Sequence, residues 1–145
     1  MSLSEQKAVV SKFLEAMVAG DIETLRTFLH DDAIFWVPPS SEGRVDRPLV
    51  GRERVAQLVG GEALGNFAPG GTRREIVHMT EEEDRVAALW DRVGVTVKGR
   101  AYNVPYNTLF RFLDGHVAEI WVIPDTYLAR RLLDVPHLPP LDDQA

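Results

Sequence analysis

The side chains with chemistry to offer are four histidines, an arginine inside an apolar strand, a tyrosine on a neighbouring strand and an aspartate at a strand end. His30, His78, His116 and His137 show no paired spacing, and neither HExxH nor an Asp-rich loop occurs, so no metal and no cofactor is expected. Arg92 shares its parity with Val86, Ala88, Trp90 and Gly94, whereas Asp91 beside it has the opposite parity and cannot pair with it without local distortion. Tyr106 shares its parity with Val104, Thr108, Phe110 and Phe112. His78 is a general base or hydrogen-bond donor if it faces a pocket, and a structural strand histidine otherwise. Asp125, just before Thr126-Tyr127-Leu128, is an acid/base or a helix cap.

The elements that must position these groups follow from periodicity. Val10, Phe13, Leu14 and Met17 repeat at helical spacing and predict a helix over about 4–19, with Ser2 and Glu5 at capping-box spacing. Gly20 ends it, and Asp21 caps a second helix, 22–29. His30-Asp31-Asp32 reads as a turn and 33–37, AIFWV, as a strand stopped by Pro38-Pro39. Residues 40–48 read as a loop. Val55, Leu58 and Val59 predict a third helix closed by Gly60-Gly61, and the glycines of 62–71 predict a further loop. Strands follow at 73–79 and 85–97, separated by an acidic turn at 81–84. The long stretch 100–126 alternates with a period of two, turns at Asp114-Gly115 and continues as a strand over 117–123. A last helix, 126–133, precedes a Pro-rich acidic tail, 134–145.

The order ααβαββββα predicts an α+β fold: a cone-shaped, curved antiparallel or mixed sheet, cystatin-like, with three helices of the N-terminal half on its concave face and a short C-terminal helix. Val117, Trp121 and Ile123 on the outward parity are too apolar for water. They imply a homodimer through the outer sheet face, with burial of Trp121 under the tail as the alternative.

With 145 residues, nearly half apolar, one domain suffices to bury a core. A net charge of -6 without a basic stripe argues against nucleic acid as a partner. The absence of cysteine excludes disulfides and thiolate chemistry, and MSLSEQKAVV has neither a signal core nor a membrane span. No membrane partner and a cytoplasmic location are therefore the expectation.

MVAGDIETLRTFLHDDAIFW, PLVGRERV and GRAYNVPYNTLFRFLDGHVAEIWVIPDT together resemble the nuclear transport factor 2-like superfamily, which includes ketosteroid isomerases, SnoaL-like polyketide cyclases and limonene epoxide hydrolases. The resemblance covers most of the chain and implies a single SnoaL-like domain over 1–133 with an apolar pocket inside the cone. It is nearly silent on chemistry, because the scaffold hosts enzymes, binders and interaction domains. By the resemblance, the base and acid pair of a ketosteroid isomerase fall on Val37, Phe13 and Thr108; the first two have no proton to exchange and the third is at best one oxyanion donor. Limonene epoxide hydrolase implies an arginine between two aspartates. Arg92 falls on the arginine, but Gly94 and Val122 fall on the acids, and Ile34 and Trp36 near the water-holding positions.

An inward Arg92 without those acids is costly unless paired. Its partner is a carboxylate from across the sheet, a backbone carbonyl, Glu119 or an anionic ligand. The expected pocket is lined by Arg92, Tyr106, Trp90, Trp36, Thr108, Phe13 and Val122, with His78 and Asp125 as candidate catalytic groups. It would bind a small, mostly apolar molecule. The alternatives are an isomerase, cyclase or hydrolase acting on a polyketide-, terpenoid- or steroid-like substrate, and an interaction domain with a filled core.

Overall fold

A computed structural model describes residues 3–36, 48–61 and 65–133, with side chains from Glu5 onward. Helices α1 (Leu3–Ala19) and α2 (Ile22–Phe28) lead into β1 (Leu29–Trp36). The two-residue β2 (Leu49–Val50) and α3 (Arg52–Gly60) follow, then four long strands: β3 (Phe67–Glu82), β4 (Arg85–Thr96), β5 (Ala101–Leu113) and β6 (His116–Pro124). Helix α4 (Thr126–Leu133) ends the described chain. The six strands form one mixed sheet in the order β2-β1-β6-β5-β4-β3, with β1 parallel to β6 and every other pair antiparallel.

Helices α1 to α3 cover one face of this sheet. Val10, Phe13, Leu14 and Met17 of α1, Leu25 of α2, and Val55 and Val59 of α3 pack with Val86, Ala88 and Trp90 of β4, Phe110 and Phe112 of β5, and Ile120 of β6. Each large apolar side chain so buried contributes about 1.5–3 kcal/mol. Polar contacts fix the docking of α1. Gln6 Nε2 donates to Glu81 Oε2 at 2.8 Å and to the Glu83 carbonyl at 2.9 Å, and Arg74 Nε donates to the Ser11 carbonyl at 2.9 Å.

Local signals in the sequence account for the element ends. Asp21 caps α2, its Oδ1 accepting from Thr24 N at 3.1 Å and its Oδ2 from Thr24 Oγ1 at 2.6 Å. These hydrogen bonds hold its carboxyl below the usual carboxylate range. Asp114 and Gly115 both take positive φ, 52° and 79°, as the two-residue hairpin turn requires.

Three differences from the sequence reading matter. The residues read as the turn His30-Asp31-Asp32 already belong to β1, whose register against β6 shifts between Leu29 and Ile34. The glycine-rich stretch contributes Phe67–Gly71 to β3, with Phe67 buried. Val117 does not face outward. A register shift between Arg111 and Phe112 reverses the parity at the start of β6, pairs Val117 with Phe112 and buries it fully, while Trp121 and Ile123 stay on the outer face. The capping box at Ser2, Val37, nearly all of the 40–48 loop and the 134–145 tail lie outside the described residues.

On the outer face Glu119 joins three strands. Its Oε1 accepts from Arg111 Nε at 3.0 Å and its Oε2 from Trp36 Nε1 at 2.7 Å. Glu119→Ala leaves a half-buried indole N–H and a guanidinium without this acceptor, and a loss of about 1–3 kcal/mol is expected in urea unfolding.

Candidate functional site

The period of two along β4 and β5 places Trp90, Arg92, Tyr102, Val104, Tyr106 and Thr108 on the concave side of the sheet, with Arg92 opposite Val104 and Trp90 opposite Tyr106. Each side chain is fixed by a neighbour. Trp90 Nε1 donates to Thr108 Oγ1 at 3.0 Å, which satisfies two buried polar groups at once. The Tyr106 ring stacks on Trp90 at 4.7 Å and 25°, and its hydroxyl lies 2.7 Å from that of Tyr102.

β3 supplies the opposite wall through a bulge. Phe67 pairs with Thr96 and Thr72 with Gly94, so five steps along β3 match two along β4. The excess chain brings both Phe67 and Thr72 to Arg92. The Phe67 ring lies 4.3 Å from Arg92 Cζ, and Arg92 Nε donates to Thr72 Oγ1 at 3.2 Å. Helix α4 covers the same end: Leu128, Ala129, Leu132 and Leu133 pack on the cluster of Phe67, Tyr102 and Val104.

Arg92 is only 4% exposed, and its Nη2 is buried with no hydrogen-bond partner among the described residues. Burial pushes its pKa down, opposed by Tyr106 and Tyr102. Burial likewise pushes the Tyr102 phenol up, aided by Tyr106 and opposed by Arg92. The groups beside the guanidinium are thus neutral hydroxyls and rings. Glu119, one partner weighed for Arg92, is engaged instead by Arg111 and Trp36 on the outer face.

Of the pocket residues named from the sequence, Arg92, Tyr106, Trp90, Thr108, Phe13 and Val122 lie on the concave side. Phe13 meets Phe110 edge-on at 5.4 Å, and Val122 packs at the margin of the core. Trp36 does not join them: it pairs with Trp121 on the outer face. His78 is exposed as well. A register shift between Ile76 and His78 leaves Val77 and His78 both exposed where β3 passes the exposed Leu89, so the simple alternation expected for 73–79 breaks there. Asp125 is exposed at the rim, where its Oδ1 accepts from Leu128 N at 3.0 Å and caps α4. Asp125→Ala should cost about 1 kcal/mol in urea unfolding and Asp125→Asn much less, because asparagine caps nearly as well.

Sequence reasoning missed Tyr102, Phe67 and Thr72. Tyr102 was legible, since it continues the parity of Val104 and Tyr106 by one step. Phe67, the one aromatic residue in a glycine-rich stretch, was the remaining signal.

A SnoaL-like domain model matches residues 10–120. The chain belongs to that family. Solved structures share the SnoaL-like fold over nearly the whole described chain. IdmH, a proposed polyketide cyclase from Streptomyces antibioticus, is 23% identical with a TM-score of 0.69, over 89% of this chain and 98% of its own. A proposed SnoaL-like polyketide cyclase from Jannaschia sp. CCS1 is 17% identical with a TM-score of 0.76, over 92% and 94%. An LEH-like epoxide hydrolase from M. tuberculosis is 19% identical with a TM-score of 0.70, over 91% and 92%. At these identities the likeness establishes the fold alone. No curated protein matches the chain.

Within this SnoaL-like cone Gly94, one of the two positions expected to carry an acid, is shut as well as empty. A Cβ on Gly94 would lie 1.6 Å from the Gly71 carbonyl oxygen, so the β3 bulge occupies the space an aspartate would need. Among the described residues, no three His, Asp or Glu side chains come together as a metal site, and no helix is long and apolar enough to cross a membrane.

Proposed function

We propose that this SnoaL-like chain binds a small, mostly apolar molecule on the concave side of the sheet, at the end covered by α4, with one polar group turned to Arg92. The observation that carries this reading is the buried guanidinium whose Nη2 has no partner among the described residues. A buried donor left unmade costs about 1–3 kcal/mol, more for a charged group, and a ligand acceptor recovers it. The walls around it are apolar or aromatic: Phe67, Trp90, Val104, Leu128 and Leu132. A thermal-shift screen of lipophilic carboxylates, sterols and aromatic polyketides tests it. Stabilisation by at least one class is expected. A flat response to all three favours an interaction domain with a filled core.

The hydroxyl pair of Tyr102 and Tyr106 beside Arg92 favours one enzymatic reading: an isomerase, cyclase or hydrolase in which these donors steady negative charge developing on a substrate oxygen. Asp125, at the rim, stands as its candidate acid/base group; His78 lies on the outer side of β3, opposite Leu89, away from these donors. Unchanged turnover in Asp125→Asn would remove Asp125.

A cytoplasmic homodimer completes the proposal. Trp121, Leu109, Trp36 and the 63% exposed Ile123 share the outer face of the sheet, an apolar surface suited to a second copy. Sedimentation velocity should give twice the chain mass, and Trp121→Glu should give the monomer. A monomeric wild type sinks the dimer. A fluorescent fusion confined to another compartment sinks the location.

A further inference from the structure

Resting on the binding reading above, the geometry points to a carboxylate as the polar group this site takes, in preference to a neutral carbonyl or a dianionic phosphate. Charge is the first argument. Arg92 is buried, its neighbours are the phenol groups of Tyr106 and Tyr102, and no carboxylate among the described residues pairs with it. Among the described residues, the buried surroundings of Arg92 therefore hold one net positive charge. A monoanion cancels it. A neutral ligand leaves it in place, and a dianion replaces it with a net negative charge in the same poorly solvated space.

The donor count agrees. Arg92 Nε is committed to Thr72 Oγ1, the guanidinium also donates to the Tyr106 hydroxyl, and Trp90 Nε1 donates to Thr108 Oγ1. The Tyr102 and Tyr106 hydroxyls lie 2.7 Å apart, so one of their two protons is spent between them and one remains. Phe67 covers a face of the guanidinium, which leaves approach in its plane, toward Nη2. One planar N–H donor group and one phenolic proton match the two oxygens of a carboxylate. The more numerous acceptors of a phosphate would find too few donors.

The test uses the full chain and three probes on one frame: 2-naphthoate, 2-naphthamide and 2-naphthyl phosphate, with the anthraquinone-2-carboxylate and carboxamide pair as a larger frame. Isothermal titration calorimetry at pH 8 should show the carboxylates binding about tenfold or more tighter than the amides, the margin of a charge-assisted hydrogen bond. 2-Naphthyl phosphate should bind more weakly than 2-naphthoate. Arg92→Met should abolish the carboxylate preference, and Arg92→Gln should reverse it toward the amides, with circular dichroism confirming the fold of both. Equal affinity for carboxylate and amide, tighter binding of the phosphate, or a carboxylate preference that survives both substitutions overturns the carboxylate while leaving the binding reading intact. Silence from every probe on both frames, together with a flat thermal-shift screen, overturns the binding reading and the carboxylate with it.

Discussion

Arg92→Met should melt at a higher temperature than the wild type while losing its ligand. A buried ion carries a desolvation penalty of several kcal/mol. Against this the wild type has side-chain hydrogen bonds to Thr72 and Tyr106 and a cation–π contact with Phe67. Nη2 is buried with no partner among the described residues, so part of the penalty stays uncompensated and an apolar replacement is favoured. Methionine fills a similar length with apolar atoms and keeps contact with Phe67. A gain of about 1–4 kcal/mol is expected, by analogy with apolar replacement of buried ions, at roughly 3 °C of melting temperature per kcal/mol for a chain of this size. A stabilising loss-of-binding substitution marks a residue kept for function.

The pH dependence of that gain follows from the direction of the shift. Burial lowers the folded-state pKa of Arg92, so near the arginine range the unfolded chain holds more protons than the folded one. Wild-type stability therefore rises with pH in that window, as the buried charge is relieved. Below the window the penalty is constant. The advantage of Arg92→Met should be flat through neutral pH and shrink only in strong alkali. Tyr102 acts in the other direction: its pKa is raised, so above about pH 10, where an unfolded tyrosine ionises, its burial destabilises both proteins. A melting-temperature series from pH 6 to pH 10.5 checks the flat stretch of the Arg92 effect and the sign of the Tyr102 effect. A variant advantage that grows toward pH 10.5, or a lower melting temperature throughout, would show that Arg92 is well compensated.

How far the sequence carried depends on the kind of signal. Periodic elements were legible. The α1 stripe from Val10 to Met17, the Asp21 cap and the Asp114-Gly115 turn each depend on residues close in sequence, and each sits in the structure within a residue or two of its expected place. The concave positions of Arg92, Trp90, Tyr106 and Thr108 followed from strict alternation over unbroken strands. Errors arose where that alternation breaks. Bulges at Ile76–His78 and Arg111–Phe112 move His78 outward and Val117 inward, and the register shift in β1 precedes Trp36 on the outer face. A bulge is an agreement between two strands about one extra residue, and neither strand alone records it. Phe67 and Thr72 were hidden for the same reason: their approach to Arg92 depends on excess chain in β3 measured against β4.

Gly94→Ala should be the most damaging single substitution at this site. Glycine inside a strand marks close backbone approach, and here the Cβ would lie 1.6 Å from the Gly71 carbonyl oxygen and 2.7 Å from Thr72 Cα. Both are main-chain atoms, which cannot swing aside as the end of a long side chain can. The bulge over residues 68–71 has to lift from β4, and Phe67 and Thr72 lift with it, taking away the ring and the hydroxyl that hold Arg92. Overpacking of an interior costs about 1–3 kcal/mol, and displacement of a paired strand puts this case at or above the upper end. A loss of about 3 kcal/mol or more is expected in urea unfolding, with carboxylate binding lost in the remaining folded protein. Gly65→Ala is the control, since its added methyl meets nothing within 4 Å, and a change within about 0.5 kcal/mol is expected there. Gly94→Asp should be worse than Gly94→Ala, because the larger side chain meets the same β3 backbone. If Gly94→Ala unfolds like the wild type and still binds, the bulge is not what positions Arg92.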